Sequence, residues 1–276
     1  MDTRVVSVDE RPSRLIAFLV AVGVYFAVGH WADTAAASES ELVRDVVEGL
    51  WFLGLAGLGA VFLRVDGAGA TDIGLSRRFL VPGVGAFLLV WVALNAVGVG
   101  IATASGNPWG LGPLQQTTAG NLLVVLYLAF VEEFVFRGYL QVKVRSVLGA
   151  DSAVSRTVTI GVAGVLFALA HVPRILAEGG YVGGTSVVGT LLVLTLSGVG
   201  FGVVYELTEN LYFVGFLHAF GNSWPLLVDG FAWDGHAQVA FFVAVGVVYF
   251  GVTGLYRRLA TGTLVTPRVR VEGAPE

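Results

Sequence analysis

The feature of this sequence most suited to chemistry is a pair of adjacent glutamates four residues ahead of an arginine, set in an apolar run: Phe130-Val131-Glu132-Glu133-Phe134-Val135-Phe136-Arg137-Gly138. An ionisable side chain at membrane depth is costly and is by default a functional hypothesis. On a helix Glu133 and Arg137 are i,i+4 neighbours and can pair, whereas Glu132 points about 100° away. Packing alone does not require a second buried carboxylate, so Glu132 is the sharper candidate. Arg137 has a blander alternative, snorkelling towards the interface near Lys143 and Arg145. Two further apolar runs carry Phe167-Ala168-Leu169-Ala170-His171 and His218-Ala219-Phe220-Gly221-Asn222, the last placing His218 and Asn222 on one helix face. A lone histidine in a span reads as a helix-to-helix hydrogen bond, and only the joint occurrence reverses that balance. A carboxylate base, two imidazoles and an amide form an inventory for activating water and stabilising an oxyanion. Glu132, His171 and His218 are equally a two-nitrogen, one-oxygen zinc set with an open fourth position. His30 and His236 are weaker candidates. Phe134, Phe136 and Phe167 read as core or lipid-facing, Trp224 and Tyr256 as interface anchors, and Glu206 and Glu209 as solvated turn residues.

These residues must be positioned by helices in lipid. Of 276 residues 55% are hydrophobic, 38 are glycine and only 13% are charged, against a usual charged share of ~25%. So few charges exclude a disordered chain and an ordinary soluble globule. A net charge of −4 argues against nucleic acid, and the absence of cysteine excludes disulfides, zinc thiolates and a cysteine nucleophile. Lys143 is the single lysine beside 15 arginines, read as genome composition, and the composition as a whole reads as prokaryotic. At ~20 apolar residues per span about eight candidates emerge: Leu15–Trp31, Val47–Leu63, Phe79–Ala104, Asn121–Gln141, Thr157–Val172, Ser186–Tyr205, Leu211–Val228 and Ala237–Tyr256. None alternates as a barrel strand does. The expectation is an all-α, polytopic transmembrane helical bundle of the cell membrane, with lipid as its surrounding partner.

If all eight cross, 13 of the 16 basic residues fall on one side and only Arg44 and Arg174 on the other, which predicts both termini cytoplasmic. The first span is read as a retained helix rather than a signal peptide. The glycine clusters Gly54/Gly57/Gly59 and Gly198/Gly200/Gly202 predict close helix packing. No linker separates domains, and the chain divides only loosely into N-terminal helices (1–120), a core (121–228) and a last helix with a tail that reads as disordered (229–276). Rise per residue puts Glu132 and His218 nearer the inner face and His171 nearer the middle or outer half. A shift of about one turn, or a tilt, would reconcile them.

The ordered motifs resemble the intramembrane proteases that process CAAX and bacteriocin precursors, the CPBP or Abi group that includes the type II CAAX prenyl endopeptidases. The family's EExxxR, often extended to EExxFRGxL, reads here Glu132-Glu133-Phe134-Val135-Phe136-Arg137-Gly138-Tyr139-Leu140. Its FxxxH reads as Phe167 and His171, and its HxxxN as His218 and Asn222. The resemblance covers roughly Asn121 to Leu227 with no departure at a motif position. It implies a glutamate-dependent endopeptidase: Glu132 as general base, His171 helping to orient water, His218 and Asn222 stabilising the oxyanion, and Glu133, Arg137 and Phe167 supporting the site. Substrate identity does not carry over from it, and the expectation is a peptide or a lipidated, CAAX-like protein tail. The preferred mechanism is metal-free with no cofactor, zinc being the alternative. The rival class is non-catalytic: a bacteriocin-immunity protein, a scaffold or a proton-coupled transporter.

Overall fold

A computed structural model describes residues 4–5, 9–36, 38, 40–111, 119–149, 152–177, 186–261 and 269–270. Part of the polar loop expected at Ser105–Thr118 and most of the C-terminal tail lie outside the described residues. Among the described residues ten α-helices and one π-helical segment run in the order α1 (Pro12–Ala36), α2 (Glu41–Val65), α3 (Arg77–Ser105), α4 (Ala119–Glu133), the π-helical segment (Phe134–Gln141), α5 (Val142–Leu148), α6 (Ala153–Ala170), α7 (Val172–Ala177), α8 (Val187–Thr208), α9 (Leu211–Ser223) and α10 (Gly235–Thr261). The only other regular structure among the described residues is a two-residue parallel pairing of Arg4–Val5 with Val269–Arg270. The protein is an all-helical, multi-pass membrane protein, as its apolar helices require. Among the described residues six helices are long and apolar enough to cross a bilayer: those spanning Pro12–Ala32, Leu42–Val65, Arg77–Ser105, Ala153–Leu176, Val187–Thr208 and Gly235–Ala260.

The two expected spans outside that set carry Glu132 and His218. Asn121–Gln141 is not one uniform α-helix, because the π segment takes over directly after Glu133. Leu211–Val228 is helical only as far as Ser223.

Two compact units make up the chain and interleave in sequence. One comprises 1–74, 131–206 and 267–276, the other 75–130 and 207–266. In the first, α6 and α8 cross at glycine. A Cβ on Gly198 would lie 3.0 Å from Gly164 Cα, and one on Gly202 would lie 3.1 Å from Gln141 Oε1. Gly59 likewise admits the Phe134 ring, whereas Gly57 and Gly200 face open space. The small-residue packing is therefore confined to alternate members of each cluster. Helix ends follow ordinary chemistry: Gly149 (φ 66°) closes α5, and Ser152 Oγ accepts the Ser155 N–H to start α6. In the second unit α9 and α10 both pack along α3.

Candidate active site

Glu132 and Glu133 separate as their helical angles require. Glu133 is fully buried, and its Oε2 lies 3.2 Å from Arg137 Nε, also fully buried. Every residue from Val135 to Gln141 is buried, so the π segment is enclosed beyond its first residue. Arg137 thus does not snorkel. Its guanidinium lies 4.8 Å over the Phe167 ring and 6.0 Å from that of Phe201, within cation–π range. Phe136 meets Phe167 edge-on at 5.2 Å. These phenylalanines are core rather than lipid-facing. π-helical turns are rare and concentrate at functional sites, and this one follows the second glutamate directly.

Glu132 faces elsewhere. Its Oε1 lies 4.0 Å from His171 Nε2, and the two side chains keep 17% and 22% of their surface exposed. His171 caps α6, and its Nδ1 is 2.8 Å from the Phe167 carbonyl. A carbonyl only accepts, so Nδ1 carries the proton, and in the neutral ring Nε2 presents its lone pair. The Phe167 ring lies 4.7 Å from the imidazole, placing it against His171 as well as Arg137. The depth mismatch inferred from helix rise does not arise, since Glu132 and His171 meet.

The other expected site residues belong to the second unit. His218 is buried on α9 and Asn222 is exposed one turn further on. The helix that carries them starts at Asn210, whose Oδ1 accepts the Phe213 N–H at 3.1 Å while its amide donates to the Phe79 carbonyl and the Tyr256 hydroxyl at 2.8 and 2.9 Å. Tyr256 is held there and stacked against Phe213. Trp224 packs against Phe220, Phe231 and Phe241.

Several polar residues passed over in sequence prove structural. Glu206 is not solvated: it accepts from Arg145 at 2.9 Å. Lys143 is fully buried, 2.9 Å from Asp66, and also donates to the Asp9 carbonyl. Asp66 in turn accepts from Tyr139 at 2.8 Å and pairs with Arg14 at 3.0 Å. The signal for Asp66 and Lys143 lay in their being charges beside apolar runs. Among the described residues no group of three or more His, Cys, Asp or Glu side chains could hold a metal ion, and the zinc set remains a sequence expectation.

The family model described as type II CAAX prenyl endopeptidase Rce1-like matches residues 114–224, a stretch that contains Glu132, Glu133, Arg137, Phe167, His171, His218 and Asn222. No curated protein and no solved structure matches the chain. Residues 114–224 are thus similar to the Rce1-like type II CAAX prenyl endopeptidases, a CAAX protease-like family.

Proposed function

We propose that this protein is an intramembrane endopeptidase in which Glu132 activates water. The observation that carries the reading is the 4.0 Å gap between Glu132 Oε1 and His171 Nε2. That gap is too long for a direct hydrogen bond and is the kind that asks for a bridging water. A water about 2.8 Å from both atoms would subtend an angle of about 90°. Nε2, with its lone pair exposed by the Nδ1–Phe167 bond, orients one hydrogen, and the Glu132 carboxylate accepts the other. Glu132 removes that proton as the oxygen attacks the scissile carbonyl carbon. The family resemblance assigns the stabilisation of the resulting oxyanion to His218 and Asn222. Collapse breaks the C–N bond, and protonated Glu132 returns its proton to the leaving amine.

The buried Glu133–Arg137 pair neutralises itself and leaves Glu132 as the accessible carboxylate of the two. The substrate class is a peptide bond near the C-terminus of a membrane-associated peptide or protein, including prenylated CAAX-like tails. Both termini are assigned to the cytoplasm of a cell-membrane protein, by the distribution of basic residues. The test is cleavage of a pooled panel of prenylated and unmodified C-terminal peptides by purified, reconstituted protein, read by mass spectrometry. Glu132→Gln should lower turnover by about 100-fold or more, in line with the loss of a general base, without lowering the unfolding temperature. Equal cleavage by both proteins would sink this mechanism. Activity lost with a stoichiometric metal on chelation would replace it by a metal-dependent one, and a panel untouched by wild type would favour the non-catalytic class.

A further inference from the structure

Helix α9 is bounded by two non-glycine residues in the left-handed region, Glu209 (φ 48°) and Trp224 (φ 43°). For a bulky residue this conformation is an outlier that the surroundings must impose. The sequence accounts for part of it, since Pro225 disfavours the α region at Trp224 and ends the helix. Beyond Ser223 the backbone stays non-helical as far as Asp234. In a membrane protein such backbone persists only where protein or water satisfies it.

Here α3 supplies the partners. Trp91 Nε1 donates to the Pro225 carbonyl at 2.8 Å, and Asn95 Oδ1 accepts the Leu227 N–H at 2.8 Å. Asn95 then donates its own amide to the Trp91 carbonyl at 2.9 Å, which orients Oδ1 towards Leu227. The Gly110 N–H reaches the Leu227 carbonyl at 2.8 Å. Further along, a Cβ on Gly98 would lie 2.8 Å from Val228. The opposite end of α9 is tied to α3 as well, through Asn210 and the Phe79 carbonyl. From Phe79 to Gly98 the 19 residues of α3 rise about 28 Å, close to the ~30 Å of a hydrocarbon core. The stretch from Asn210 to Val228 therefore runs the length of a span as helix followed by non-helical chain.

We propose that Trp91 and Asn95 are positioning residues that set where α9 stops, and with it the depth of Asn222, two residues before the left-handed Trp224. The inference rests on the reading of Asn222 as an oxyanion donor. Asn95 is buried amid an otherwise apolar stretch of α3, and a helix packing only through apolar contacts has no need of an amide there. Its hydrogen bond converts a helix end, which would otherwise fray, into a fixed stop.

The experiment compares Asn95→Leu with Leu94→Ala, a neighbouring buried substitution serving as a control for general destabilisation. Each is reconstituted beside wild type and Glu132→Gln. kcat and KM on the peptide panel are compared at matched distance below each unfolding temperature, and amide exchange across 219–228 is followed by mass spectrometry. Asn95→Leu should lower kcat about 10-fold or more with KM within about twofold, and speed exchange across that segment by about 10-fold. Leu94→Ala should do neither. With wild type active, unchanged exchange in Asn95→Leu, or a kcat loss no greater than that of Leu94→Ala, overturns the proposal. If wild type leaves the panel uncut, or Glu132→Gln cuts it equally well, the parent reading has failed and the proposal falls with it. Faster exchange in Asn95→Leu would then report only a structural tether.

Discussion

In the unit that holds Glu132 the buried polar contacts are mostly ionic: Glu133 with Arg137, Arg145 with Glu206, and Asp66 with Lys143 and Arg14, the neutral exceptions being Gln141 donating to the Gly202 carbonyl and Tyr205 to that of Ile73. Around His218 they are mostly neutral: Asn210 bridging Phe79, Phe213 and Tyr256, Asn95 with Leu227, and Trp91 with Pro225. Arg257 is the exception, donating to the Leu207 carbonyl at 3.0 Å. The two regions belong to different units, and they fix their candidate catalytic groups by different means. An ion pair in a low-dielectric interior leaves an uncompensated charge when one partner is removed. A neutral amide leaves only an unmet hydrogen bond. The first unit should therefore fail abruptly under single substitutions, and the second gradually.

The largest structural effect should come from Arg137→Ala, which strands the fully buried Glu133. A loss of about 3–5 kcal/mol is the expectation for a buried pair broken on one side, measured as unfolding in detergent. Combining it with Glu133→Gln should recover part of that loss. A single-variant cost no greater than that of an amide variant in the second unit would break the comparison. Asn210→Ala is that amide variant. It removes the α9 cap together with the bonds to Phe79 and Tyr256, and should cost about 1–2 kcal/mol. Asn210→Ser, which keeps an accepting oxygen for the cap but not the two donated bonds, should fall between it and wild type.

The smallest effect belongs to Asp9 at the N-terminal end of the ionic unit. The Arg11 backbone N–H holds its carboxyl below the ordinary value of 3.8, and the charges of Arg11, Arg14 and Lys143 add to the lowering against a partial desolvation. A depressed folded-state pKa contributes stability that is complete above the unfolded value and is lost as pH falls through the folded one. Asp9→Asn should accordingly narrow the gap between unfolding temperatures at pH 7 and pH 3, leaving turnover at pH 7 unchanged. An identical gap in both proteins would remove Asp9 from the ionic set.

Composition alone determined that the solvent is lipid, because 13% charged residues cannot cover a globule of this length. Spacing alone put Glu132 and Glu133 on different helix faces and made Arg137 the partner of the second. That much follows from helical geometry, which is local. What the sequence could not yield was set by contacts distant along the chain. The π segment after Glu133 and the halt of α9 at Ser223 each break a pattern that hydropathy reads as continuous. The approach of His171 to Glu132, 39 residues apart in sequence, depends on their helices docking at a particular register. Asn95 shows the boundary most clearly. That an amide among apolar residues needs a partner was legible from its type, but that its partner is Leu227, 132 residues away, was decided only when the helices packed.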